Sequence, residues 1–128
     1  VLGLAFKGNT DDIRESAAIE IINKLTKQGA KIHTYDPKAM TKAKQVLDSR
    51  VRYFRNPYTA IKSCELLAVT TEWPEFKKLN WRRVKRLLKN PIILDGKNLL
   101  ESDKLKKLGF KYQGVGTNDE DRSNKSDM

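Results

Sequence analysis

Three cations stand where a phosphate could be held. Lys7 and Lys97 each come just after an apolar run that reads as a β-strand, and Arg14 precedes a helical pattern that begins near Ser16. Lysine offers a compact charge with three donors, and arginine a planar fork suited to oxyanions. The unpaired N–H groups and dipole at a helix start also favour an anion. Three such cations on one rim would make a diphosphate clamp, and Phe6, an aromatic at a strand end, could line a nucleotide pocket. Each has a plainer reading. A lysine after a strand can simply be solvated, Arg14 can pair with Asp11, Asp12 or Glu15, and Phe6 can be core. Gly8 and Gly96 suit turns better than close phosphate approach.

The other reactive side chains are less promising. Cys64, in Ser63-Cys64-Glu65 at the lip of an apolar run, reads as a small residue packed near a sheet. His33 alternates with Ile32 and Thr34 within a strand, a structural placement. Trp73 and Trp81 read as pins for loops and helices. No Gly-x-Gly-x-x-Gly follows a strand, so a dinucleotide cannot be cradled in the usual Rossmann manner.

The elements that must position these residues alternate. The runs Val1–Phe6, Lys31–Tyr35, Val51–Phe54, Glu65–Val69 and Ile92–Leu94 read as strands, with Phe110–Tyr112 as a last edge strand. Between them, Ser16–Gln28 carries Ala18, Ile21, Ile22 and Leu25 at helical spacing, with Ser16 as N-cap and Gly29 as stop. Further helices are expected over Thr41–Leu47, Pro57–Lys62, Asn80–Leu88 and Ser102–Leu108. Such alternation predicts an α/β fold: a doubly wound, mainly parallel open sheet of five to six strands with helices on both faces, Rossmann-like. In such a sheet, ligands bind beyond the carboxyl ends of the strands, where Lys7, Arg14 and Lys97 fall.

A chain of 128 residues makes one compact domain. It contains no apolar run of roughly 20 residues to span a membrane and no secretion-type start. A single cysteine fits a reducing cytoplasm. The chain opens at Val1 inside an apolar run without an initiator Met, which reads as a piece of a longer protein. Thr117–Met128 carries Asp119, Glu120, Asp121 and Asp127 against Arg122 and Lys125, a net −2; with +10 for the whole chain, residues 1–116 carry +12. This field favours anionic partners without choosing among nucleotides, nucleic acid and acidic lipid. Residues 1–116 are expected to form the folded domain and 117–128 a disordered polar tail.

Four segments together carry a resemblance. Gly3-Leu4-Ala5-Phe6-Lys7 followed by Thr10-Asp11-Asp12-Ile13-Arg14-Glu15-Ser16, then Tyr35-Asp36-Pro37, then Thr71-Glu72-Trp73 with Glu75-Phe76, then Asp95-Gly96-Lys97-Asn98 occur in the order and spacing of one family. The chain resembles the C-terminal, UDP-binding domain of the UDP-glucose/GDP-mannose dehydrogenase family over Val1 to about Gly116. The wording around Arg14 is most similar to the UDP-glucose 6-dehydrogenase branch.

The resemblance implies an NAD-dependent oxidation of a nucleotide sugar at C6 from alcohol to carboxylate, UDP-glucuronate in the UDP-glucose case. It implies that the positions of Phe6, Lys7 and Lys97 contact the UDP-sugar substrate, and that of Arg14 reaches the NAD phosphates. Family members usually have arginine at the position of Lys97; a point charge here replaces a fork. The N-terminal NAD domain, central domain and nucleophilic cysteine of such enzymes lie outside this sequence, so the 128 residues alone are expected to be inactive and the full-length enzyme a homo-oligomer. Related alternatives are UDP-N-acetylmannosamine and GDP-mannose dehydrogenases. A basic nucleic-acid-binding module would need aromatics interleaved with bases, as only Val51-Arg52-Tyr53-Phe54-Arg55 offers. A receiver-type signalling domain would need an aspartate where Phe54-Arg55-Asn56 stands.

Overall fold

The structure is a computed structural model that describes residues 1–115; the expectation about residues 117–128 lies outside the described residues. The elements are α1 (Ala17–Lys27), β1 (His33–Thr34), α2 (Met40–Ala43), β2 (Arg52–Tyr53), α3 (Pro57–Ile61), β3 (Leu67–Val69), α4 (Pro74–Lys77), α5 (Trp81–Leu87), β4 (Ile92–Asp95), α6 (Ser102–Lys107) and β5 (Lys111–Gly114). Every strand pairing is parallel: β1 with β2, β3 with β4, and β4 with β5. Leu2 joins the two groups, bridging to Tyr35 on one side and Val69 on the other. Across the sheet the order is therefore β2, β1, the opening segment, β3, β4, β5. Right-handed crossovers place α1 and α2 on one face and α3, α5 and α6 on the other. The expected doubly wound α/β sheet is present.

The opening run departs from expectation in length. Val1–Phe6 is apolar enough for a full strand, yet its ladder pairing is confined to Leu2. Gly3 adopts φ +110°, and beyond it the N–H groups of Leu4 and Ala5 turn away from neighbouring strands to the carboxylate of Asp36. A side chain at Gly3 would collide with Thr71, so the position needs glycine for both conformation and space. The expected helix at Thr41–Leu47 shortens to α2, and α4, a single turn opened by Pro74, was not expected at all.

Helix α1 follows its periodicity. Ala18, Ile22 and Thr26 are buried at four-residue spacing, and Gly29, at φ +93°, ends it. Ser16 occupies the N-cap position without a capping bond; its hydroxyl donates instead to the Leu4 carbonyl at 2.7 Å. Helix α5 is capped by Asn80, with the Arg83 N–H donating to Asn80 Oδ1 at 3.1 Å. The core includes Leu2, Leu4, Ile22, Leu67, Val69, Phe76, Val84, Ile93 and Leu105, all essentially inaccessible.

Two buried aspartates organise the carboxyl ends. Asp36 Oδ2 accepts from the N–H groups of Leu4 (2.8 Å) and Ala5 (3.0 Å) and from Trp73 Nε1 (3.0 Å). Its Oδ1 accepts from Lys38 and Ala39, both at 2.8 Å. Asp95 accepts from the N–H groups of Lys97 (3.1 Å) and Leu100 (2.8 Å) and from the Tyr112 hydroxyl (2.8 Å). Removing a buried acceptor leaves its donors unpaired in a dry site, at about 1–3 kcal/mol for each group. Asp36→Ala is therefore expected to cost about 3–5 kcal/mol in chemical denaturation, toward the upper end for a single substitution. A loss below about 1 kcal/mol would mean that Asp36 does not carry these loops.

Candidate nucleotide-diphosphate site

The four sequence motifs come together at the carboxyl end of the sheet. Asp36 ties the opening segment to Trp73. The Thr71 hydroxyl donates to the Ala5 carbonyl at 2.9 Å, and that of Thr70 to the Gly3 carbonyl at 2.7 Å. The Gly96 N–H donates to the Val69 carbonyl at 2.8 Å, fastening the Asp95-Gly96-Lys97-Asn98 loop beside the end of β3. From α4, Glu75 accepts from the Tyr35 hydroxyl at 2.9 Å. Burial first, then this bond to Glu75, pushes the Tyr35 hydroxyl well above the ordinary tyrosine range.

Phe6, Lys7 and Arg14 share one loop. Its base is pinned by the Phe6 N–H donating to the Asp12 carbonyl at 2.6 Å, and Gly8 lies so close to the Glu72 carbonyl that a side chain there would overlap it. Phe6 keeps 42% of its surface accessible, which sets aside the core reading. Lys7 is exposed, and among the described residues its ammonium has no ion-pair partner. The same holds for Lys97, whose backbone N–H is fixed by Asp95 while its side chain faces solvent. The opening segment and β4 flank β3, so these two loops leave the sheet roughly 10 Å apart, two strand spacings. All four candidates thus sit at one end of the sheet; no hydrogen bond, ion pair or ring contact joins Phe6, Lys7, Arg14 and Lys97 to one another among the described residues.

Arg14 has taken the plainer of its two readings. Its Nε donates to Asp12 Oδ1 at 3.0 Å and its Nη2 to Oδ2 at 2.8 Å, while its backbone N–H donates to Oδ1 at 2.9 Å. This fork holds the Asp12 carboxyl at about 2, below the ordinary 3.8. The Arg14 side chain remains 87% accessible, so the pair is open to competition from solvent ions. Asp11 is engaged separately by Lys42 at 3.1 Å.

Lys38 is a cation that sequence reading passed over. It follows Asp36-Pro37, is placed by the Asp36 carboxylate, and lines a shallow depression of about 490 Å³ with Asn9, Thr10 and Asp11. The signal was available in the motif itself, a lysine directly after the Asp-Pro turn.

Cys64 and His33 remain structural. The thiol donates to the Ala60 carbonyl at 3.3 Å and lies 3.5 Å from His33 Nδ1, and burial pushes its pKa up, away from a reactive thiolate. Trp73 and Trp81 are buried, the second edge-on to Phe110, in keeping with a pinning role.

Comparison with known proteins agrees with this arrangement. The family model for the UDP-glucose/GDP-mannose dehydrogenase family, UDP binding domain, matches residues 1–102. A UDP-glucose 6-dehydrogenase of Rickettsia prowazekii is 41% identical over 118 residues, covering 91% of this chain and 27% of the relative. One from Bacillus subtilis is 40% identical over 116 residues, with 91% and 25% covered. Among solved structures, a UDP-glucose dehydrogenase from Pyrobaculum islandicum superposes with a TM-score of 0.72 at 34% identity, over 89% of this chain and 24% of that one. A UDP-D-ManNAc dehydrogenase from Pyrococcus horikoshii gives 0.70 at 30%, over 90% and 24%. The chain spans about a quarter of the length of these relatives. With the loops, the sheet order and these matches in agreement, the chain belongs to the UDP-glucose/GDP-mannose dehydrogenase family, within the UDP binding domain of that family.

Proposed function

We propose that this domain holds the diphosphate of a UDP-sugar at the carboxyl-end rim, as the substrate-nucleotide-binding part of an NAD-dependent UDP-glucose 6-dehydrogenase. The observation that carries the reading is the pair of ammonium groups of Lys7 and Lys97, without an ion-pair partner among the described residues, on loops that Asp36 and Asp95 hold at the same end of the sheet. The doubly esterified diphosphate of a UDP-sugar carries one negative charge on each phosphate, and cations on fixed backbone meet it with little reorganisation. Phe6 supplies apolar surface beside them for the nucleoside or sugar. The lysine at position 97 brings charge without the geometry of a fork, so its contribution is electrostatic and salt-sensitive.

Arg14 is the residue this chain offers to the cofactor. Its exposed fork, released from Asp12, would meet a phosphate of NAD. One arginine does not cradle a dinucleotide, and the described strand ends have no Gly-x-Gly-x-x-Gly, so NAD is assigned mainly to the N-terminal domain of the longer enzyme. When bound, NAD supplies the hydride acceptor; this chain's part is to orient the substrate. The central domain and a homo-oligomeric assembly belong to the same proposal, as does a cytoplasmic location. Among the described residues no helix is long and apolar enough to cross a membrane. The likeness to a UDP-D-ManNAc dehydrogenase keeps an N-acetylmannosamine substrate as the second reading.

Calorimetric titration of the 128-residue chain with UDP, GDP and ADP tests the assignment. UDP is expected to bind best, and Lys7→Ala and Lys97→Ala each to weaken it about tenfold, the loss of one charge-assisted contact. Unchanged affinity in both variants, or tighter binding of single-stranded nucleic acid than of UDP, would remove the basis of the reading. No NADH should form from UDP-glucose and NAD with this chain alone.

The Asp12–Arg14 pair has its own pH signature. Because the folded carboxyl is depressed from 3.8 to about 2, the pairing contributes in full above the unfolded value and is lost as pH falls through about 2. A carboxyl NMR titration of Asp12 should show that low midpoint, and Arg14→Ala should return it toward 3.8. A midpoint insensitive to Arg14 would show that the fork is not closed in solution.

A further inference from the structure

One face of the sheet is left bare. On β3, Leu67 and Val69 are buried on one side, whereas Leu66, just before the strand, is 42% accessible and Ala68 half-buried on the other. On β4, Ile93 is buried and its neighbour Leu94 is 40% accessible. Near-continuous apolar runs such as these are typical of parallel strands covered on both faces. Helix α1 shows the same duality. Ala18 and Ile22 face the core, while Ile21 and Leu25, one turn apart on another stripe, are 42% and 37% accessible. These two apolar surfaces form the walls of one hollow of about 670 Å³, lined by Ile21, Leu25, Leu66, Ala68 and Leu94 among others, with Lys31 and Glu65 also lining it.

Sheet topology says what is missing. Each crossover between strands already has its helix, and right-handed winding sends those after β3 and β4 to the opposite face. No crossover within the described residues reaches the α1 side of β3 and β4. Residues 117–128 contain no apolar residue except Met128, so they cannot supply a covering surface either. A second copy of the chain fits poorly. A two-fold contact sets a patch against itself, and two hollows facing each other leave a void. The hollow instead suits a convex apolar ridge, and a helix about 10 Å across provides one. Family members supply the chain for it, because the present residues cover only about a quarter of their length.

We infer that the hollow between α1 and the bare face of β3–β4 is the docking seat for an amphipathic helix from the remainder of the dehydrogenase chain, with charges placed to oppose Lys31 and Glu65. This rests on the family reading and adds to it the surface through which the domain is attached. The hollow reaches Thr70 and Gly96 at the strand ends, but Phe6, Lys7 and Lys97 do not line it and stay available to substrate.

The test compares the 128-residue chain with a chain extended to the family's full length, using methyl NMR with a soluble nitroxide. In the short chain, expected to be a monomer when checked by light scattering, the methyl groups of Ile21, Leu25, Leu66 and Leu94 should broaden as strongly as those of the exposed Val46. In the long chain those four should be protected several-fold relative to Val46. Leu66→Lys with Leu94→Lys should lower the Tm of the long chain by about 5 °C or more and leave the short chain within about 1 °C. Equal broadening in both chains, or a short-chain dimer that Leu94→Lys dissociates, would overturn the inference. UDP titration of the same samples separates the two readings. Protection without UDP binding sinks the ligand assignment and leaves the docking seat standing, and UDP binding without protection does the reverse.

Discussion

A single carboxylate, that of Asp36, accepts hydrogen bonds from five N–H groups drawn from three separate stretches of chain. It is fully buried, and the bonds from Leu4, Ala5, Ala39 and Trp73 are buried with it, so those donors have no water as a substitute. The consequence for architecture is direct. The opening segment is released from the sheet after Leu2, the chain after β1 is turned into α2, and Trp73 is drawn in over both. Asp95 does the same on a smaller scale between β4 and β5. The rim on which Lys7 and Lys97 stand is thus built from the inside, by buried acids that fix the backbone while leaving exposed cations at the surface.

This division of labour explains how charge is distributed. Acids at the strand ends are consumed by backbone donors and are unavailable to neutralise the lysines beside them. Had Asp36 or Asp95 faced solvent, each would have offered a counter-ion to a nearby cation, and the rim would have lost part of its attraction for phosphate. Burial withholds the carboxylates of Asp36 and Asp95 from Lys7 and Lys97, where the proposed ligand is negative.

Much of the fold was legible because it is written in local pattern. Helix α1 follows from Ala18, Ile22 and the stop at Gly29, and β3 and β4 from unbroken apolar runs. The illegible parts depend on distant residues. Within Val1–Phe6 only Gly3 hints at where the ladder ends, and the N–H groups beyond it are taken up by an aspartate more than thirty positions away. Helix α4 is one turn and shows too little periodicity to detect. At the rim, the exposure of Phe6 and of both lysines accords with their types and positions. The partner of Arg14 could not be chosen among Asp11, Asp12 and Glu15, since the choice turns on a local loop in which Asp12 also accepts the Arg14 backbone N–H. The bare face of β3–β4 was visible in principle, as apolar residues on both alternating sets, but a run of this kind does not say which side its own chain will cover.

The Arg14–Asp12 pairing has a kinetic consequence. A guanidinium already satisfied by a carboxylate two residues away gains little from a stray phosphate in bulk solution, because each exchange trades one bidentate contact for another. A phosphate presented by a tethered neighbouring domain arrives at a far higher effective concentration and can win that exchange. Under the proposed function the aspartate would act as a filter, holding the arginine against adventitious anions and releasing it to a cofactor phosphate once the domains close.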